Sequence, residues 1–257
     1  MRPGDLLMVH ASLRRLGLAH SQGVSDGAEQ LLDALEEAIR PDGTLLMILG
    51  SDYAYDWVNE HPPERRAALL AGTEPLDQTN AKAMGEVGWL AETFRRRPNT
   101  LFSANPSGRF AARGARAEAL LHGQSWNDYY GPGSPLEKLC EWGGRVLRLG
   151  ANPDTVTVLH YAEYLAQLPA KKRTRWDYVL ATAEGPRHCW VECLDDSQGI
   201  GDYDGEDYFA ALLKAYLAQG RARTGRIGEA QAELIEAADI VKFGARWMER
   251  NLVTGAD

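Results

Sequence analysis

Residues 5–10, DLLMVH, form an apolar run whose length suits a buried strand, and the run ends on an imidazole. Ser25-Asp26 then caps a predicted helix reaching Ile39, because Ala28, Leu31, Leu32, Leu35 and Ile39 share one face and Pro41-Asp42-Gly43 stops it. Residues 44–49 are an apolar strand. Together these pieces predict β-α-β, with parallel strands buried on both faces and joined by a crossover helix. Over residues 50–85 the periodicity breaks down; Tyr53, Tyr55 and Trp57 argue against disorder there, so the stretch reads as an irregular wall of a site. Helices are expected over 86–95 and 115–121, with a turn leading into a strand within 102–114. Ser134-Pro135 opens another helix, since serine caps well and proline suits the first helical position.

The pattern that organises the chain runs over residues 146–164, VLRLGANPDTVTVLHYAEY. Val146, Leu147 and Leu149 form a strand bounded by Gly143-Gly144 and by Gly150 and Pro153. Asp154 or Thr155 is expected to cap a helix carrying Val158, Leu159, Ala162 and Leu165. His160 and Glu163 lie three apart and share a face of that helix. A carboxylate beside an imidazole fixes its tautomer and raises its basicity, which suits a general base, although a surface helix can carry the same pair. Beyond it, residues 174–183 and 188–194 read as paired strands around Glu184-Gly185. Two closing helices are expected, over 208–219 and 232–251.

Of the 257 residues, 44% are hydrophobic and 25% charged, a composition that fits one globular domain, 1–257, of α/β class with a central mixed, largely parallel sheet flanked by helices. The net charge of -8 disfavours nucleic acid and anionic membranes as partners and favours a cationic ligand. Cys140, Cys189 and Cys193 are odd in number and lack metal-ligand spacing, so no metal and no disulfide framework is expected. No apolar run approaches the ~20 residues that span a bilayer, and the N-terminus lacks a signal pattern, so the expected location is cytoplasmic.

Several stretches in order, LLMVHASLRRLG, DGTLLM, NPSGRFAARG, GPGSPLEKL, RVLRLGANPDTVTVLHYAE and GEAQAELIEAADIVKFGARWMER, resemble the aminoglycoside 3-N-acetyltransferase family of antibiotic acetyltransferases. The resemblance implies the family's own fold, distinct from that of GNAT acetyltransferases, and acetyl transfer from acetyl-coenzyme A to the 3-amino group of an aminoglycoside, which confers antibiotic resistance. It implies His160 and Glu163 as the acid/base pair, and His10, Ala11, Ser12 and Leu13 along the pantetheine channel. Where many members carry His-Pro, this chain has Asn105-Pro106; asparagine cannot carry a proton at neutral pH, so a binding role is expected for Asn105. Phe110 is expected beside the cofactor as well.

Acetylating an amine requires its neutral form, and an alkylamine with a pKa of ~10 is mostly protonated at pH 7, so a base must act. His160 is the candidate, with backbone N–H groups near Ser12 or Asn105 as donors to the developing oxyanion. Arg14, Arg15 and Arg109 are candidates for the coenzyme phosphates. Carboxylates and tyrosines should receive a polycationic acceptor; the candidates are Asp52, Tyr53, Asp56, Asp77, Asp128, Tyr130, Asp202, Asp204 and Glu206. A monomer or homodimer is expected. Another amine, such as a biosynthetic intermediate, is the alternative acceptor. A serine hydrolase built on Ser134 is disfavoured, because GPGSP lacks the G-x-S-x-G elbow and no strand leads into it.

Overall fold

Two apolar strands at the start of the chain set the frame, β1 (Leu6–Ala11) and β2 (Thr44–Ile48), both buried almost throughout and joined by α1 (Val24–Ile39). The computed structural model describes residues 1–18, 24–50, 53–204 and 207–255. Asp52 and Glu206 lie outside the described residues, as do the side chains of Ser25, Tyr53 and Asp56. After β2 come α2 (Tyr53–Asn59), α3 (Pro63–Leu70), α4 (Gly88–Arg96), β3 (Leu101–Phe102), β4 (Phe110–Gly114), α5 (Ala117–Leu121), α6 (Pro135–Glu141) and β5 (Arg145–Leu149). The chain then forms α7 (Leu159–Leu165), β6 (Arg173–Thr182), β7 (Gly185–Leu194), α8 (Tyr208–Leu217), β8 (Arg223–Ile227), β9 (Ala230–Glu236) and α9 (Ala237–Asn251).

The mixed sheet runs β3-β4-β2-β1-β5-β9-β8. Its centre is parallel, with β1 paired to both β2 and β5, and both flanks are antiparallel. One face packs on α1 and α4 through Leu7, Val9, Leu32, Leu45 and Phe94; the other packs on α7 and α9 through Met8, Leu46, Val146, Leu159 and Ile240. Because β1, β2 and β5 run the same way, their C-terminal ends open on one edge, the position where open α/β sheets bind ligands.

Three local expectations are corrected. The stretch 50–85 is not irregular throughout, since it contains α2 and α3, which pack against the β6–β7 hairpin. Neither Asp154 nor Thr155 caps α7: a turn closed by Thr155 N–H to Asn152 O (2.9 Å) precedes the helix, and Val158 stands at its N-cap with no side-chain cap. The helix expected over 232–251 is a strand and then a helix, because Ala230, Ala232 and Ile235 are buried while Gln231 and Glu236 are exposed, and β9 pairs with β5 and β8. Its alanines, glutamates and leucine favour helix, but pairing to a buried sheet edge overrides that weak preference.

The hairpin is fastened by a buried ionic cluster. Asp177, 3% exposed, accepts from Arg66 (3.1 Å) and Arg175 (2.7 Å), while Asn59 exchanges hydrogen bonds with the Asp177 backbone. Burial favours a neutral Asp177, yet the hydrogen bonds and charges of Arg175 and Arg66 hold its carboxyl below the usual carboxylate range. Removing one partner leaves an undercompensated buried charge. Arg66→Met should therefore lower stability in urea by about 3 kcal/mol at neutral pH. The lowered pKa means that this contribution is full above the carboxyl's ordinary pKa and fades as pH falls through the folded value, so the gap to wild type should narrow in acid. A pH-independent gap would show that the cation is not what holds the hairpin.

Candidate active site

Gly150 ends β5 at φ 62°, and a Cβ there would meet Ala230 Cβ at 2.8 Å, so only glycine turns the chain this tightly against β9. The turn feeds α7 and places His160 in the first turn of that helix, beside a cleft of about 1520 Å³. His160 Nδ1 lies 2.7 Å from Glu163 Oε2. Glu163 is 1% exposed and also accepts a hydrogen bond from the Tyr208 hydroxyl. The imidazole stacks on Tyr130 (centroids 4.8 Å apart, planes at 13°) and meets Phe209 at 4.9 Å. Because the carboxylate engages Nδ1, that nitrogen carries the proton and Nε2 is left as the basic atom.

The electrostatics fit a poised base. Burial works against a charged His160, but the charge and hydrogen bond of Glu163 outweigh it and raise the imidazole pKa above its ordinary 6.5. Burial likewise pushes Glu163 upward, opposed by His160 and Tyr208. The two therefore titrate as a unit. Half-buried Asp196 adds a third titratable group facing the cleft; it accepts from the Tyr129 hydroxyl (2.5 Å) and Trp176 Nε1 (3.1 Å), and desolvation raises its pKa against the pull of His160. Behind it the hydroxyls of Tyr129, Ser107 and Tyr178 link at 3.0 Å each.

Among the expected site residues, His10, Ala11, Ser12, Leu13, Arg14, Tyr130, His160, Glu163 and Asp202 all line this cleft, as does Arg15. Burial lowers the His10 pKa to about 3, aided by neighbouring Arg148, so that ring stays neutral. Asp202 faces the cleft while paired with Lys172 (2.5 Å).

Other placements depart from expectation. Asn105 spends its amide on the carbonyls of Ser125 and Trp126 and on the N–H groups of Ser107 and Gly108; it staples a turn and does not line the cleft. The N–H of Ser12 is taken by Leu149 O (2.9 Å), so it is not a spare oxyanion donor. Phe110 is wholly buried behind Tyr130 at 5.8 Å. Buried Arg109 binds Lys82 O (2.5 Å) away from the cleft. Asp77 caps its own turn through Thr79 and Asn80, Asp128 pairs with Arg173 (2.8 Å), and exposed Asp204 lies off the cleft lining. Ser134 is the α6 N-cap, accepting from Glu137 N–H (3.2 Å).

Asp196, Tyr208 and Phe209 escaped the sequence reading. Asp196 sits just past β7, in the same acidic loop as Asp202 and Asp204, and its place at a strand end is the signal the sequence carries. Tyr208 and Phe209 open a helix whose apolar face reads as core, and nothing local marks them as neighbours of His160.

Among the described residues no cluster of histidine, cysteine, aspartate and glutamate could hold a metal ion, and no helix is long and apolar enough to cross a membrane. Burial pushes the thiols up, Cys140 to about 12 and Cys189 to about 11, so neither is a ready nucleophile.

A family model described as aminoglycoside 3-N-acetyltransferase matches residues 8–249. Aminoglycoside N(3)-acetyltransferase III of Pseudomonas aeruginosa is 36% identical over 249 residues, covering 97% of this chain and 89% of its own. The structure of AAC-IIIb as a binary complex with CoASH superposes with TM-score 0.86 at 36% identity, covering 100% of this chain and 94% of that one. AAC-VIa bound to sisomicin gives TM-score 0.86 at 34% identity, covering 98% and 94%.

The pairing of His160 with Glu163 can be tested without reference to turnover. In NMR titration, the ring should titrate above the ordinary histidine value, and Glu163→Gln should move it downward, because the dominant raising influence is then gone while burial remains. An unmoved titration would mean that the carboxylate does not set the basicity of the ring.

Proposed function

We propose, from the premise that the chain belongs to the aminoglycoside 3-N-acetyltransferase family, that it transfers the acetyl group of acetyl-coenzyme A to the 3-amino group of an aminoglycoside and so confers resistance to it. The observation that carries this reading is the position of His160 within one cleft, which is lined by the cationic Arg14 and Arg15 as well as by the acidic Asp196 and Asp207. A phosphate-bearing donor and a polycationic acceptor want opposite surroundings, and this cleft offers both.

The residues present suit the acyl donor. Arg14 and Arg15 supply cations for phosphates, and Val9, Ala11, Leu13 and Met47 supply apolar wall for a pantetheine arm. When bound, acetyl-coenzyme A provides an activated thioester carbonyl. The acceptor ammonium releases one proton to solvent, which frees its lone pair; as that lone pair forms the new N–C bond and the C–S bond breaks, His160 Nε2 takes the second N–H proton and returns it to the departing sulfur. Glu163 keeps Nδ1 protonated and stabilises the imidazolium, and Tyr208 holds Glu163. Asp196, anchored by Tyr129 and Trp176, receives an ammonium neighbouring the reacting amine. With the Ser12 N–H already spent, the Ser12 hydroxyl is the donor we assign to the developing oxyanion. One domain spanning residues 1–257 performs the reaction, in the cytoplasm, as a monomer or homodimer.

The direct test is thiol release from acetyl-coenzyme A across a panel of aminoglycosides and simple amines. His160→Ala should lower kcat by about 10²-fold with the fold intact by circular dichroism. Near-normal turnover in that variant would remove His160 from the mechanism, and acetylation of simple amines alone would remove the aminoglycoside.

Recognition of the acceptor carries its own expectation. Asp196→Asn should raise KM for a polyamine acceptor while leaving KM for acetyl-coenzyme A near wild type. Raising salt should weaken a five-ammonium acceptor more than a monoamine, since the screening length falls to ~10 Å at 0.1 M. Equal salt slopes for the two acceptors would leave the acidic groups as solvated surface.

A further inference from the structure

Arg148 points from β5 into the protein and is 2% exposed, an unusual place for a guanidinium. Its partner is Glu233, directly opposite on β9 in the sheet register, with Nη1 to Oε2 at 2.7 Å. The other donors do not serve the sheet. Nη2 binds Ala151 O (3.2 Å) and Asn152 O (2.6 Å), and Nε reaches Thr155 O at 3.4 Å. Those carbonyls belong to the turn between β5 and α7, whose residues Ala151, Asn152 and Thr155 line the cleft beside the His10–Arg15 segment. The same turn leads into the helix that carries His160.

From this geometry we infer that Arg148 is a positioning residue for the acyl donor: paired to Glu233, it clamps the 151–155 turn so that one wall of the donor end of the cleft is preformed. The inference rests on the proposed acetyl-coenzyme A site and adds a residue that touches no substrate. A planar fork carrying several donors is what allows one side chain to hold a carboxylate and three carbonyls together, which an ammonium cannot reproduce. Glu233 neutralises the charge that this clamp brings into the interior. The clamp also sets the surroundings of His10, which lies opposite Arg148 on β1, within the influence of that positive charge.

Arg148→Met alone strands Glu233 and invites misfolding, so the informative variant is the double replacement Arg148→Met with Glu233→Leu, which exchanges a buried ion pair for apolar bulk, often without loss of stability. Three readouts apply to it and to wild type. Hydrogen exchange should quicken at amides 152–160 while the β1 and β5 amides stay protected. Calorimetric titration with coenzyme A should show binding weakened by about tenfold, ~1.4 kcal/mol. In turnover, KM for acetyl-coenzyme A should rise while KM for the acceptor and the pH profile set by His160 hold. A folded double variant with wild-type exchange over 152–160 and wild-type coenzyme A affinity would overturn the inference. Should wild type itself bind no coenzyme A, the proposed function fails; quickened exchange confined to 152–160 would still establish the clamp, and uniform quickening across the sheet would refute it.

Discussion

A carboxylate as deeply buried as Glu163 survives in a protein interior only if its charge is answered, and much of the site follows from how this chain answers it. One oxygen is met by His160 Nδ1 and the other by the Tyr208 hydroxyl, so α7 and α8 are tied together at the place where the cleft opens. The imidazole is thereby fixed in tautomer and in orientation, and the Tyr130 and Phe209 rings leave it little room to turn. A base held this way pays little reorganisation cost when a substrate arrives. For the base proposed at His160, burial of Glu163 and fixed orientation of the ring follow from the same pair of hydrogen bonds.

That arrangement depends on the sheet behind it. The parallel centre of β2, β1 and β5 brings His10 and the β5–α7 turn to one edge, and the antiparallel addition of β9 supplies Glu233 to Arg148. The cleft thus sits between elements that no short stretch of sequence contains. Its charges are divided in the same manner, Arg14 and Arg15 following β1 and Asp196 following β7, so that attraction for anion and cation comes from separate parts of the chain.

What the sequence made legible is what local rules control. The apolar runs of β1, β2 and β5, the cap at Ser134 and the three-residue spacing of His160 and Glu163 could all be read directly, because strand length, capping and helix periodicity act over a few residues. The family resemblance added the cofactor and the acceptor, which periodicity could not. The failures share a cause as well. Residues 230–236 carry helix-forming side chains yet pair as a strand, and Asn105, Arg109, Asp77 and Asp128 looked available for ligands but are occupied by carbonyls, amides or cations. An acidic or basic side chain in a loop announces charge; it does not announce which partner has already claimed it.

The contrast between Asp128 and Asp196 makes the distinction physical. Both lie in stretches where acids and aromatics mingle, and both accept a hydrogen bond from a tyrosine hydroxyl. Asp128 also holds Arg173 at 2.8 Å, so its charge is already neutralised by the chain itself. Asp196 is held by a hydroxyl and an indole N–H, neutral donors that orient the carboxylate without cancelling it, and it faces the cleft beside His160. A carboxylate oriented by neutral groups in a partly dry pocket keeps its field for a cation that comes from outside, whereas one paired with arginine has little left to offer. In the proposed recognition of a polycation, what counts is therefore less how many acids the chain carries than which of them its own cations leave uncancelled.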